Sequence, residues 1–324
     1  MAALTREQHR NSDVGSTDFY PANNDNVWDA DFQYKDGVRF DNGDSNLQTD
    51  WANLVCSDLE KSAKRGSSVA QACLSHMYQE GFGVRRDPKK AFKWCSEAAR
   101  QEGQADAMYE LGLMYLDGVG ITRCRSSAFK LLKGAGEQNH AKALFKLAEM
   151  QIDDSFGKTN PTFAFKTCLK AAKLNYPEAQ FNVGVMFERG IGTNQNFQEA
   201  VFWYKKASEN GNKHSLNNLG NMYFNGLGVP KDINVAKSLF YAASDYGSGL
   251  ADFNLAVLYG QCEIGQASAV RSLTLFFMAS LKGVKEATFV LKRLKQIFPR
   301  RTLISANAKA ISSHASGQKI RKKL

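Results

Sequence analysis

Three asparagines stand thirty-six residues apart, Asn182, Asn218 and Asn254, with Asn217 and Asn221 beside the middle one. A carboxamide offers one acceptor and two donors, enough to pair both the C=O and the N–H of an extended backbone. Such a ladder could hold a peptide. The competing account is that the amides are solvated or tie neighbouring turns together. Apolar side chains run alongside: Tyr109, Leu113, Phe145, Phe181 and Phe253. They could line a groove for a partner, or they could be buried between stacked elements. Other chemistries find no spacing to support them. His9, His76, His140, His214 and His314 fall at unrelated positions, and no H-E-x-x-H or C-x-x-C is present, so metal-ligand and metalloprotease arrangements are unsupported. The G-x-G pairs lack a downstream G-K-[ST], no G-x-S-x-G occurs, and the acids scatter. No phosphate loop, nucleophile elbow or acid/base pair can be drawn. No cofactor and no metal are expected.

The period of thirty-six belongs to the elements that must position these residues. Met77, Met114, Met150, Met186, Met222 and Leu258 anchor six repeats spaced 37, 36, 36, 36 and 36 residues. Three residues before each anchor stands Leu or Val; two and seven before it stand small residues, which together make one face of an amphipathic helix. Fourteen and twenty-one after the anchor, two further columns of Ala or Ser mark a second helix, small enough for close crossings. Gly81/Gly83, Gly118/Gly120, Gly190/Gly192 and Gly226/Gly228 separate the two helices, and Gly66, Gly103, Asn139, Asn175, Gly211, Gly247 and Gly283 end the second. The third and sixth repeats depart from this pattern at 152–161 and 260–266, the loops expected to be reshaped.

A repeat written LGxMYxxGxG, then AxxWYxKA, then Gly resembles the Sel-one-like repeat, a relative of the tetratricopeptide repeat. The resemblance is clearest in MYQEGFGVRRDPKKAFKWCSEAA (77–99), LGLMYLDGVG (111–120) and AVFWYKKASENG (200–211). It implies an all-α protein, a right-handed α-solenoid of about six to seven helix-turn-helix repeats of 36 residues, that binds other proteins. Peptide-binding members of the superfamily place asparagines before the Leu-Gly pair, the place taken here by Asn182, Asn218 and Asn254.

Three segments are expected: an acidic polar segment 1–50 with a degenerate capping helix around Val27, Trp28, Phe32, Tyr34, Val38 and Phe40; the solenoid 51–299; and a basic disordered tail 300–324. Residues 1–50 carry a net −6, residues 282–324 a net +11, and residues 51–281 the remaining +5 of the total +10. Lys292 falls in a column that must be small if another repeat is to pack, so the stack should stop there. No apolar h-region or membrane span is present. Cys56, Cys73, Cys95, Cys124, Cys168 and Cys262 read as sharing no repeat column, hence as free thiols of a reducing compartment, with the cytoplasm expected. The leading function is a non-enzymatic adaptor that holds a peptide or helix of a protein partner on its concave face, without a small-molecule substrate. The alternative is an accessory protein whose basic C-terminus meets nucleic acid, an anionic membrane or an acidic segment.

Overall fold

The computed structural model describes residues 45–101, 103–153, 159–262 and 266–321. The expected capping helix at 27–40 lies outside them. So do the centre of the third repeat's loop, the centre of the sixth repeat's loop and the end of the KIRKKL sequence. Among the described residues all regular structure is helical: α1 Ser45–Lys64, α2 Ser68–Glu80, α3 Pro88–Ala99, α4 Ala105–Asp117, α5 Arg125–Glu137, α6 Ala141–Ile152, α7 Pro161–Lys173, α8 Pro177–Arg189, α9 Phe197–Glu209, α10 Lys213–Asn225, α11 Ile233–Asp245, α12 Gly249–Cys262, α13 Gln266–Leu281, α14 Lys285–Leu294 and α15 Arg300–Arg321. This is an all-α repeat solenoid. The chain divides after Ala179 into two compact halves. In the N-terminal half, helices α1 to α7 each pack on the next; in the C-terminal half, α9 to α14 do the same, and α15 returns to α13.

Each turn is built from the residues that the period placed there. Gly81, Gly118 and Gly226 take left-handed φ of 81°, 76° and 72°, and their amides close on the anchor carbonyls of Met77, Met114 and Met222. Asn139 and Asn175, with φ of 64° and 63°, end α5 and α7 where other repeats use glycine. The second glycine of the G-x-G pair serves packing. A Cβ at Gly120 would run into the Pro88 carbonyl, and one at Gly228 into the backbone of Phe197, so the loop of one repeat lies on the first turn of the preceding repeat's second helix.

The start of each second helix follows an equally regular rule. The amides of Asp87, Cys124, Asn160, Asn196 and Asp232 donate to the carbonyls of Tyr78, Tyr115, Gln151, Phe187 and Tyr223, at 2.8 to 2.9 Å. The side chains of Asp87, Asn160, Asn196 and Asp232 in turn accept from the first free amides of their helices. Asn160 keeps this bond although the third repeat has lost its glycines.

Inside each repeat, small residues face large ones. Built at Gly184 a Cβ would lie 2.6 Å from the Tyr204 ring, at Gly220 2.6 Å from the Phe240 ring, and at Gly112 3.0 Å from Leu132. In the same register Ser75 and Ala148 are matched with Cys95 and Cys168. Those two cysteines therefore do share a column, eighteen residues after their anchors, which corrects the reading that the cysteines follow no register. The pattern escapes notice because Leu, Tyr and Phe fill the column elsewhere. Both thiols lie in the core and donate to the next repeat's alanine carbonyls, Ala107 and Ala179, at 3.6 Å.

A second pair closes three of the repeats from first helix to final stop. Gln101 donates to Gln71 at 2.8 Å, Asn210 donates to Gln180 at 2.8 Å, and the Lys282 ammonium lies 2.5 Å from the Asp252 carboxylate. All three pairs occupy one register, six before and twenty-four after the anchor, and the third repeat puts Leu144 and Leu174 there instead.

At the C-terminus Ala287, Leu291 and Leu294 are buried in the expected columns, and Lys292 is exposed. The tail itself departs from expectation: residues 300–321 form a helix, not a disordered tail. Ala306 and Ala310 are fully buried, and Leu303 packs on the cluster formed with Phe276, Leu291 and Leu294. An Ala-rich helix packs closely without a strong apolar stripe, which is why its periodicity is faint in the sequence.

Candidate functional site

The residues expected to form a groove divide by burial. In the N-terminal half, Tyr109 and Phe145 are buried and Leu113 is half-buried. The Tyr109 ring stacks on His140 with centroids 4.8 Å apart, and Phe145 meets Tyr176 edge-on at 5.4 Å. His140 and Tyr176 stand at the entry to the following repeat, so these aromatic rings seal one repeat to the next. His140 also caps α6: its Nδ1 accepts from the Ala143 amide at 3.0 Å while Nε2 lies 2.9 Å from an Asp106 oxygen. Burial holds this imidazole below its ordinary pKa against the pull of Asp106, so the neutral Nε2–H form fits both bonds.

In the C-terminal half, Phe181 is 2% exposed, Asn182 1% and Asn217 6%, while Asn218, Asn221, Phe253 and Asn254 are half-buried. Phe181 packs against Tyr204 and His214, and Phe253 meets Phe276 edge-on at 5.5 Å. The asparagines form a chain. Asn254 Nδ2 donates to Asn217 Oδ1 at 2.9 Å, Asn217 Nδ2 donates to Asn218 Oδ1 at 3.4 Å, and Asn218 Nδ2 donates to the Tyr204 hydroxyl at 3.2 Å. Tyr204 completes it by donating to the Glu188 carboxylate. The chain thus runs from α8 through α9 and α10 to α12, and ties three consecutive repeats.

Not all of the amide capacity is spent in that chain. Asn254 and Asn218 are half-buried on neighbouring first helices, and each bond named above uses one hydrogen of a two-hydrogen amide. Asn221, one turn beyond Asn217 on the same helix, is likewise half-buried. Leu113, Asn218, Asn221, Phe253 and Asn254 thus remain half-buried, whereas Tyr109, Phe145, Phe181, Asn182 and Asn217 are buried.

Two further features lie outside the expected site residues. Glu110 occupies, in the second repeat, the column held elsewhere by the ladder asparagines. Burial raises its carboxyl to about 7, with Asp106 adding to the shift and Lys142 opposing it. Asp252 is fully buried and bound by Lys282 and the Ser244 hydroxyl. Burial raises its pKa in spite of these partners. Both could be found by asking which repeat breaks a polar column. No helix of the described residues is long and apolar enough to cross a membrane, and among them no group of three His, Cys, Asp or Glu side chains is placed to hold a metal ion.

Comparison with known proteins places this architecture. The Sel1 repeat model matches residues 68–102, 105–140, 141–176, 177–212 and 213–248, more than half of the chain. Among solved structures, a Sel1 repeat protein from Oxalobacter formigenes is similar with a TM-score of 0.62 and 27% identity, over 71% of this chain and 99% of that one. The protective antigen c5321 of uropathogenic Escherichia coli shares the fold with a TM-score of 0.53 and 23% identity, over 81% of this chain and 65% of that one. Among curated proteins, the chitin synthase regulator SKT5 of Saccharomyces cerevisiae is 41% identical over 54 residues, 17% of this chain and 8% of that protein. The human protein sel-1 homolog 2 is 31% identical over 112 residues, 35% of this chain and 16% of that protein. The chain thus spans only a small part of the length of these curated relatives.

Proposed function

The chain belongs to the Sel1 repeat family, whose members generally act as protein-interaction scaffolds, and from that premise we propose that it is a non-enzymatic adaptor that holds an extended segment of a partner protein along Asn218, Asn221, Asn254 and Phe253. The observation that carries this reading is the amide chain itself. Asn217 and Tyr204 fix Asn254 and Asn218 in place, and a preorganised amide spends less entropy on meeting a ligand backbone than a free one does. The half-buried Phe253 sets an apolar contact beside the polar one, the pairing that peptide grooves use for register and affinity. The face meant is the concave one of the solenoid. A relative described as a regulator of chitin synthase, the yeast protein above, fits a role exercised through another protein.

The test is a partner capture from the native host with the intact chain and with an Asn218→Ala, Asn221→Ala, Asn254→Ala variant. Each backbone bond lost costs about 0.5–1.5 kcal/mol, so three of them reduce affinity by one to three orders of magnitude while helix content is kept. Should the variant capture the same partner equally well and unfold more easily, the amides serve only to join the repeats.

A further inference from the structure

Folding of the basic C-terminus leaves large apolar side chains on its outside, set among the cations. In α15 the inner side is Leu303, Ala306 and Ala310, and Ala306 joins Leu291 and Leu294 of α14 in one cluster on Leu273 and Phe276 of α13. The opposite side of α15 carries Ile304, Ala308, Ile311 and Ala315, spaced as one helix face. All four are exposed, the two isoleucines by 61% and 52%. A helix that is apolar on both sides needs a cover on both, and α13 covers the inner one.

The same arrangement holds on α14. Ala287, Leu291 and Leu294 are buried, while on the opposite side Phe289 is 53% exposed between Lys285, Lys292 and Arg293. The Arg293 guanidinium lies over the Phe289 ring, 4.9 Å from its centre. Ile297, in the turn that joins the two helices, is 74% exposed, and the exposed Arg300 and Arg301 stand about one turn before Ile304. Between residues 285 and 309 the chain has seven Lys or Arg and one acid, Glu286. Among the described residues, none of the seven forms an ion pair. Because α14 and α15 bury their inner sides in one cluster, Phe289, Ile297, Ile304 and Ile311 belong to the outside of one terminal unit.

Apolar side chains that protrude among cations fit a surface that is anionic above and apolar below. A bilayer with acidic headgroups is such a surface: Phe and Ile enter the headgroup and acyl boundary, while the long basic side chains bend back to the lipid phosphates. A nucleic acid fits less of what is there. Its phosphates would engage the cations and its bases could stack on Phe289, but Ile304 and Ile311 would stay in water.

We propose that the outer side of α14 and α15 docks on an anionic lipid surface, with Phe289, Ile297, Ile304 and Ile311 inserted and the flanking Lys and Arg on the headgroups. A helix lying in the interface in this way needs no spanning segment. This face contains none of the residues assigned to the partner segment, so the two roles are separable by mutation.

The test is sedimentation of the full chain with vesicles of phosphatidylcholine alone and of equimolar phosphatidylcholine and phosphatidylserine, at low and at physiological salt. The parent is expected to sediment with the anionic vesicles and not with the neutral ones, and to bind less tightly as salt rises. Ile304→Gln with Ile311→Gln changes two exposed side chains, so helix content should be kept while affinity falls by about tenfold or more. Lys292→Gln with Arg293→Gln should weaken binding by about the same factor. Val69→Ser with Phe202→Ser, which removes two exposed apolar side chains elsewhere, should bind as the parent does. A duplex oligonucleotide is the rival arm. The proposal is overturned if the parent does not sediment with the anionic vesicles, if the isoleucine variant binds them as tightly as the parent, if the Val69 and Phe202 variant loses as much, or if the oligonucleotide binds the parent more tightly than the anionic vesicles do.

Discussion

Gly184→Ala is the substitution on which the packing account can be tried most sharply, because the same change at Gly220 supplies its control. A methyl group at either position lies 2.6 Å from an aromatic ring, Tyr204 or Phe240, where ordinary contact is 3.4–4 Å, so each ring must move by about 1 Å. Overpacking of this kind costs about 1–3 kcal/mol, and replacing glycine by alanine in a helix returns about 1 kcal/mol. For Phe240 the account ends there, with a net loss of about 1 kcal/mol. The sixth repeat matches an alanine, Ala256, with Phe276 in the same register, so this pairing can be packed. Tyr204 is different, since its hydroxyl is held by Glu188 on one side and Asn218 on the other. A ring displaced by 1 Å strains or breaks both bonds, adding about 1–3 kcal/mol. Denaturant unfolding followed by circular dichroism should therefore show Gly184→Ala losing about 3 kcal/mol and Gly220→Ala about 1 kcal/mol. Adding Tyr204→Phe, which releases the ring from its tethers, should cost less in the Gly184→Ala background than in the parent. Equal losses at the two glycines, or a Tyr204→Phe cost independent of residue 184, would show that the polar chain does not hold the ring.

Three further outcomes follow from the buried groups. The Glu110 carboxyl, raised by burial from 4.5 to about 7, retains its proton on folding across that window, so its contribution is complete below pH 4.5 and is lost as pH rises through 7. Glu110→Gln, neutral throughout, should melt like the parent at pH 4 and be about 3 kcal/mol more stable at pH 8; a constant difference across pH would contradict the assignment. Lys282→Met strands the buried Asp252 charge and should cost about 3 kcal/mol or more. Asp252→Gln with Lys282→Gln, which copies the Gln71 and Gln101 pair, should recover most of that loss in thermal melts. Hydrogen bonds from Ser126 and Ser127 lower the Cys124 thiol to about 7, whereas burial raises Cys95 to about 12 and Cys168 further. Iodoacetamide at pH 7.5 followed by peptide mass mapping should label Cys124 more than ten times faster than either, and comparable rates in the folded chain would refute the distinction.

Much of the fold is legible in one chain because the repeat compares the sequence with itself. Six anchors at intervals of 36 or 37 residues reveal the helix pairs, and Asn139 and Asn175 could be read as left-handed stops because glycine stands at the same place in other repeats. The groove was only half legible. Periodicity identifies which side of a helix Phe145 and Phe181 occupy, but burial there depends on what the following repeat sets against them, and the Tyr176 and His214 contacts supply it. The tail was missed for a related reason: Ala306 and Ala310 offer little hydrophobic signal, and they pack because α13 presents a surface close enough for small side chains. The Cys95 and Cys168 column required looking past residue chemistry to size, since its other occupants are Leu132, Tyr204, Phe240 and Phe276.

The pairs Gln71 with Gln101, Gln180 with Asn210 and Asp252 with Lys282 each lie within one thirty-six-residue window that ends near a stop residue. A recombination event joining two such windows at their stops transfers each of these three pairs intact, whereas the bonds from Asn254 to Asn217 and from Asn218 to Tyr204 cross from one window to the next and depend on the neighbour. Joining at the glycine loop instead would mate Gln180 with Tyr246, or Asp252 with nothing that carries a positive charge. The placement of these pairs therefore favours gain or loss of whole helix pairs joined at the stops over joining in the loops.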